Sequence, residues 1–224
     1  MKYIYEDAFD YENGFALTSA PYRMGNILAH YELYKKILHV PGDVIELGVF
    51  KGNSLIQFAT FRHLLENDKS RKIVGFDAFG DFPAQGGAGT AIISSDEKFI
   101  ADWNIKFRDE FISREDILLA LKNKKLDNVE LIQGDIMQTL DEYVKIHPEL
   151  RIAMLHIDTD VYAPAKKGLE ILFNRVVRGG VIVLDDYGVV EGETLAVDEF
   201  LATRDYQLER FTFSHTKPAF FVKN

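Results

Sequence analysis

Five short apolar runs, each delivering a carboxylate near its end, alternate with stretches of helical periodicity, and few folds accommodate that pattern. The runs are DVIELG, KIVGFDAF, VELIQGD, RIAMLHID and VIVLDD. Between and after them the spacing predicts helices over about 53–66, from Ser113-x-x-Asp116 onward, around Ile136–Ile146, over about 163–177 and over about 193–203. A leading helix carries Met24, Ile27, Leu28, Tyr31, Tyr34 and Leu38 at near-helical spacing until Pro41-Gly42 stops it. Strands alternating with helices build βαβ units, so the chain reads as an α/β protein with a Rossmann-like, mostly parallel sheet and an N-terminal helical extension. The tail, YQLERFTF then KPAFFVKN, has no helix between its strand-like runs and is expected to form an antiparallel pair at the C-terminal sheet edge.

With 224 residues, 47% of them hydrophobic, the chain can bury one core, and a single domain over 1–224 is expected. Residues 1–40 would extend or cap it, and 80–112, with the Gly-rich GDFPAQGGAGT, read as one long irregular stretch, either a lid or a disordered segment. The net charge of -9 argues against binding nucleic acid, since no segment clusters Lys and Arg beyond KNKK at 122–125. The absence of cysteine excludes disulfides, thiolate metal sites and cysteine nucleophiles. Nothing resembles a signal peptide or a membrane span, so a cytoplasmic protein is expected. Tyr3, Tyr5, Phe9, Tyr11, Phe15 and Tyr22 crowd the first segment, which would either cover an acceptor pocket or pack against a second subunit; a homo-oligomer is expected.

In open parallel sheets ligands bind beyond the carboxyl ends of the strands. Those ends carry Glu46, Asp77, Asp135, Asp158 with Asp160, and Asp185 with Asp186. Helix N-capping accounts for one or two such acids, but five ends in succession point to a cation or a hydroxyl-rich ligand. Glu46-x-Gly48-x-x-x-Gly52 is not the dinucleotide fingerprint, because Phe50 stands where G-x-G-x-x-G needs glycine. An acid before the first glycine suits an ammonium group, and an acid closing the second strand suits ribose hydroxyls. S-adenosylmethionine offers both, and Lys51, Ser54 and Asp135 join Glu46, Gly48, Gly52 and Asp77 as candidate cofactor residues. Asp158, Asp185 and Asp186 form an all-oxygen set suited to Mg²⁺. His156 is either a further ligand or a hydrogen-bonded core histidine, and the other histidines, His30 among them, form no spaced constellation.

PGDVIELGVFKG, GFDAFGDFP, HIDTDVY, and GGVIVLDDYG followed by LAVDEF together resemble the macrocin O-methyltransferase family over nearly the whole chain. The resemblance implies a class I methyltransferase sheet, S-adenosylmethionine held at Glu46, Gly48 and Asp77, and Mg²⁺ held at Asp158, Asp185 and Asp186. It also implies methyl transfer to a hydroxyl of a sugar nucleotide or glycoside in natural-product or surface-glycan biosynthesis. Phe50-Lys51 replaces the family's usual Trp-Arg, and Asp81 stands at the glycine of Asp-x-Phe-x-Gly. Catechol-type relatives place a lysine base where this chain has Val161, so an aspartate must serve: Asp186 first, with Asp160 and Asp185 behind it. Asp160 could instead cap the next helix. The rivals are a hydroxylase-like sister enzyme, a nicotinamide-dependent oxidoreductase and a non-enzymatic binding module.

Overall fold

The computed structural model describes residues 4–83, 93–108, 110–213 and 218–224. Strands β1 (Asp43–Leu47), β2 (Ile73–Asp77), β3 (Val129–Gln133), β4 (Ile152–Ile157), β5 (Val176–Leu184), β6 (Glu209–Arg210) and β7 (Ala219–Val222) form one sheet. Their order is β3-β2-β1-β4-β5-β7-β6. The first five run parallel; β7 lies antiparallel to β5, and β6 to β7, as the tail's pattern predicts. Chain order reverses between β1 and β4, and the crevice beyond the carboxyl ends of those two strands is the switch point at which such sheets take ligands.

Eight α-helices are described: α1 (Ala8–Thr18), α2 (Pro21–Lys36), α3 (Asn53–Leu65), α4 (Ser94–Phe107), α5 (Arg114–Asn123), α6 (Ile136–Ile146), α7 (Tyr162–Leu172) and α8 (Glu191–Leu201). Local chemistry starts several of them. Pro21, with its fixed φ, opens α2; the Ser113 hydroxyl accepts the Asp116 N–H at 3.1 Å to open α5. One apolar layer packs Leu33, Phe58 and Ile117 of α2, α3 and α5 on one sheet face. The other packs Leu140, Leu169 and Phe200 of α6, α7 and α8 on the opposite face. Each fully buried Leu, Ile or Phe contributes about 1.5–3 kcal/mol. With both faces covered the strands can be apolar throughout, and β4 is buried at every position.

Two expectations change. Residues 80–112 are not irregular throughout: Ser94–Phe107 is helical, while 84–92 and 109 lie outside the described residues. Phe99, Trp103 and Phe107 recur at helical spacing, and Trp103 packs against Phe50 and Phe82. The helix expected over 163–177 stops at Leu172; a short 3₁₀ turn, Phe173–Arg175, follows, and β-branched Val176 and Val177 open β5. The N-terminal segment also contains α1, none of whose residues is buried. Among the described residues no helix is long and apolar enough to cross a membrane.

Candidate active site

Gly48, just past β1, has φ +87°, and a Cβ there would stand 1.8 Å from the Asp158 carbonyl oxygen beyond β4. Only glycine permits this approach. The same contact is tied by the Asp158 N–H donating to Leu47 O at 2.9 Å. The Asp77 carboxylate accepts three backbone N–H groups, from Val49 and Phe50 at 2.8 Å and from Phe79 at 2.6 Å. These bonds hold Phe50 at φ 49° and Phe79 at φ 52°, left-handed conformations uncommon for bulky residues. Asp77 therefore organises the turn after β1 before any ligand arrives, and a carboxylate with about four lone-pair sites keeps one acceptor position in reserve.

Above this contact opens a cleft lined by residues at and beyond the carboxyl ends of β1, β2, β3 and β4. Of the residues expected to hold a cofactor, Gly48, Asp77 and Asp135 line it; Glu46, Lys51, Gly52 and Ser54 do not. Asp135 also caps α6, accepting the Met137 N–H at 2.9 Å. Lys51 pairs with Glu110 at 2.8 Å and lies over the rings of Phe50 and Phe107. Gly52 turns into α3 at φ +77°, facing Ile117, and Ser54 is buried on α3. Aromatic walls come from Phe50, Phe82, Trp103 and Phe111.

At the neighbouring ends of β4 and β5, Asp158, Asp185 and Asp186 each place a carboxylate oxygen within 4.8 Å of the others. Burial, then the charge of Asp185, pushes the Asp158 carboxyl well above its usual range. Asp185 is held well below it: burial acts upward, but the imidazoles of His156 and His30 outweigh it. A residue that sequence reasoning missed braces the cluster. Glu193, fully buried on α8, accepts the Asp186 N–H at 3.0 Å and the Thr159 N–H at 3.3 Å, and donates its own N–H to Asp160 O at 3.1 Å. In sequence it reads as an ordinary first-turn helix acid.

Asp160 lines the cleft at φ 59°, one residue before the N-cap of α7, and no side-chain cap comes from the N-cap residue, Val161. The N-terminal turn of α7 is met instead by Asp96 of α4, whose Oδ2 accepts the Tyr162 N–H at 2.8 Å. Asp96 is buried against Gly192, where a Cβ would stand 2.3 Å from its Oδ1. The front of α4 is thereby pinned between α7 and α8.

His156 is hydrogen-bonded in the core and also lies in a group of side chains able to hold a metal ion. It is fully buried, its Nδ1 2.9 Å from Glu46 Oε1 and its Nε2 3.6 Å from Asp185 Oδ1. Burial alone would pull its pKa down; the carboxylates of Asp185 and Glu46 on either side push it well above the usual value. His30, which belongs to no spaced constellation in the sequence, meets this group in space. Helix α2 brings His30 Nε2 to 3.5 Å from the same Asp185 oxygen, with Nδ1 2.9 Å from Gln57 Oε1. No spacing in the chain announces that meeting, because packing of α2 on the sheet creates it.

A family model described as macrocin-O-methyltransferase (TylF) matches residues 21–212. A tetracenomycin-C rhamnosyl 4'-O-methyltransferase of Streptomyces olivaceus is 28% identical over 162 residues, 67% of this chain and 54% of that protein. The demethyldecarbamoylnovobiocin O-methyltransferase of Streptomyces niveus is 28% identical over 180 residues, 78% of this chain and 63% of that protein. The match thus spans between about half and two thirds of these relatives' lengths. Among solved structures, the apo form of CalS11, a TDP-rhamnose 3'-O-methyltransferase, superposes with a TM-score of 0.67 at 25% identity, over 99% of this chain and 87% of that one. The O-methyltransferase NovP shares the fold, with a TM-score of 0.73 at 22% identity over 89% of this chain and 80% of that one.

Proposed function

This chain belongs to the macrocin-O-methyltransferase family, and from that premise we propose that it transfers a methyl group from S-adenosylmethionine, with Mg²⁺, to a hydroxyl of a sugar nucleotide or glycoside. The observation that carries the reading is the cleft at the sheet's switch point, where Gly48, Asp77 and Asp135 meet Asp158 and Asp160.

The donor set suits the proposed ion: three carboxylates, no sulfur, and a like-charge crowd that a cation relieves. Asp158, Asp185 and Asp186 would hold it. Mg²⁺ bound there supplies charge that lowers the pKa of a coordinated hydroxyl and a fixed point for a sugar diol.

The chain's own residues have three tasks. Asp77, Ala78 and Asp135 line the cleft at the ends of β2 and β3, where they suit the nucleoside part of the donor. The aromatic walls exclude water and fix the acceptor's approach; orientation of this kind supplies roughly 7–11 kcal/mol. A carboxylate must also take the hydroxyl proton. An aspartate that ligates a cation is held ionised and is a weak base. Asp186 is moreover buried at 1% exposure and does not line the cleft, whereas Asp160 does. Asp160 is therefore the better base, ahead of the Asp186 favoured from sequence.

The test is a screen of sugar nucleotides and glycosides with methyl-labelled S-adenosylmethionine, with Mg²⁺ or with chelator. Labelled product formed only with Mg²⁺ is expected. Product from the same acceptor bearing new oxygen without label would support the hydroxylase-like alternative. A thermal shift with NAD but none with S-adenosylhomocysteine would overturn the reading, because a ligand at 100 times its Kd stabilises by about 2.7 kcal/mol.

A further inference from the structure

Three buried polar atoms without a hydrogen-bond partner gather beneath the acid cluster: His30 Nε2, His156 Nε2 and Asp185 Oδ1. Their side chains are at most 10% exposed. Both imidazole nitrogens approach the same oxygen, at 3.5 Å and 3.6 Å, beyond the usual length of an N–H···O bond. Folded proteins seldom leave one such atom unsatisfied, and three at one spot call for an explanation.

Each ring is held from behind. His156 Nδ1 meets Glu46 Oε1 at 2.9 Å, and His30 Nδ1 meets Gln57 Oε1 at 2.9 Å. The Gln57 amide is itself oriented by its Nε2 donating to Asn53 Oδ1 at 3.1 Å. With Nδ1 as the donor, Nε2 of each ring presents a lone pair, as metal-binding histidines do when a carboxylate or carbonyl holds the other nitrogen. The two separations to Asp185 Oδ1 are close to the edge of a tetrahedron around an ion bonded at about 2.1 Å, which is about 3.4 Å long, and all three ligand atoms lie within 4.8 Å of one another. An octahedral Mg²⁺ site has edges of about 3.0 Å and prefers oxygen, while imidazole favours borderline transition ions.

We propose that His30, His156 and Asp185 form an inner binding site for a divalent transition ion of the Zn²⁺ type, separate from the oxygen-only set and sharing Asp185 with it. One carboxylate oxygen can serve each site. Three protein ligands leave the fourth tetrahedral position to a water, and the ion fastens α2 to the ends of β4 and β5 beneath the cleft.

The probes are Zn²⁺ and Co²⁺. Protein loaded with Zn²⁺ and dialysed against excess Mg²⁺ is expected to retain one Zn²⁺ per chain by elemental mass spectrometry, and the Co²⁺ form to show the intense visible bands of a tetrahedral ion. His30→Gln should lose retention. Gln57→Leu, which leaves every ligand in place, should weaken affinity about 10–100-fold and keeps the test open should His30→Gln fail to fold. Asp158→Asn should keep the Zn²⁺ while losing the response to Mg²⁺, so failure of the outer site is distinguishable from failure of this one. Displacement of Zn²⁺ by Mg²⁺, wild-type retention in His30→Gln, or a purely octahedral Co²⁺ spectrum would overturn the proposal.

Discussion

Glu46 and His156 stand opposite one another on neighbouring parallel strands, both fully buried, with Glu46 Oε1 2.9 Å from His156 Nδ1. The acid that sequence reading expected to meet the cofactor's ammonium group braces a histidine with one oxygen, while its other oxygen, Oε2, is buried without a hydrogen-bond partner. Breaking a buried ion pair by removing one partner costs about 3–5 kcal/mol. Glu46→Ala should lose about that much in chemical denaturation, and Glu46→Gln, which can still accept from Nδ1, should lose less. Weakened S-adenosylhomocysteine binding at unchanged stability would put Glu46 back in contact with the donor.

Asp160→Asn removes the proposed base without touching the proposed ligand set. Loss of a positioned general base lowers kcat about 10²–10⁴-fold. Mg²⁺ and S-adenosylhomocysteine affinities, measured by calorimetry, should stay near wild type. An equal fall in metal affinity would make Asp160 part of the ion's shell rather than the base.

Asp158→Asn should act in opposite directions with and without Mg²⁺. Burial and the neighbouring Asp185 charge penalise ionised Asp158, so the neutral amide should raise the melting temperature of the metal-free protein near neutral pH. Added Mg²⁺ should stabilise wild type, by about 2.7 kcal/mol at 100 times its Kd, and leave the variant nearly unmoved. A variant less stable than wild type after chelation contradicts the crowding account.

The contact between α4 and α7 gives a pH prediction. Burial raises the Asp96 carboxyl above its ordinary 3.8, with Glu191 and Asp160 adding to the rise and the Tyr162 N–H opposing it. The folded state thus holds this proton more tightly than the unfolded chain does. Its contribution is fully present below the unfolded pKa and is lost as pH rises through the folded one. Asp96→Asn keeps an acceptor for the Tyr162 N–H and does not ionise, so its melting temperature should gain on wild type as pH rises above about 4. Asp96→Ala, which removes the cap, should cost about 0.5–2 kcal/mol across that range. A pH-independent gap between Asp96→Asn and wild type would refute the assignment.

Much of the fold was legible because it rests on local periodicity. The apolar runs from Val44 to Leu47 and from Ile152 to Ile157, separated by helical spacing, leave a parallel sheet as the economical way to bury both faces. Helix α4 was hidden by the Gly-rich run before it, although Phe99, Trp103 and Phe107 already carried its period. The α7–β5 boundary slipped because Val176 and Val177 suit either a helix end or a strand start, and only the pairing of Ile152 with Val176 settles it.

By itself the sequence determined the alternation of strand and helix, and with it the delivery of carboxylates to one edge of the sheet, because both depend on residues within a few turns of each other. Which of those acids do which work was decided by tertiary structure. Asp77 and Asp135 are engaged by backbone N–H groups, Asp158, Asp185 and Asp186 crowd together, and Glu46 turns beneath the cleft to His156. His30, Glu193 and Asp96 reach the site from three helices whose local patterns carry no mark of it. Their roles arise from the packing of α2, α8 and α4 on the sheet and its loops, a long-range outcome of burial that no local period encodes.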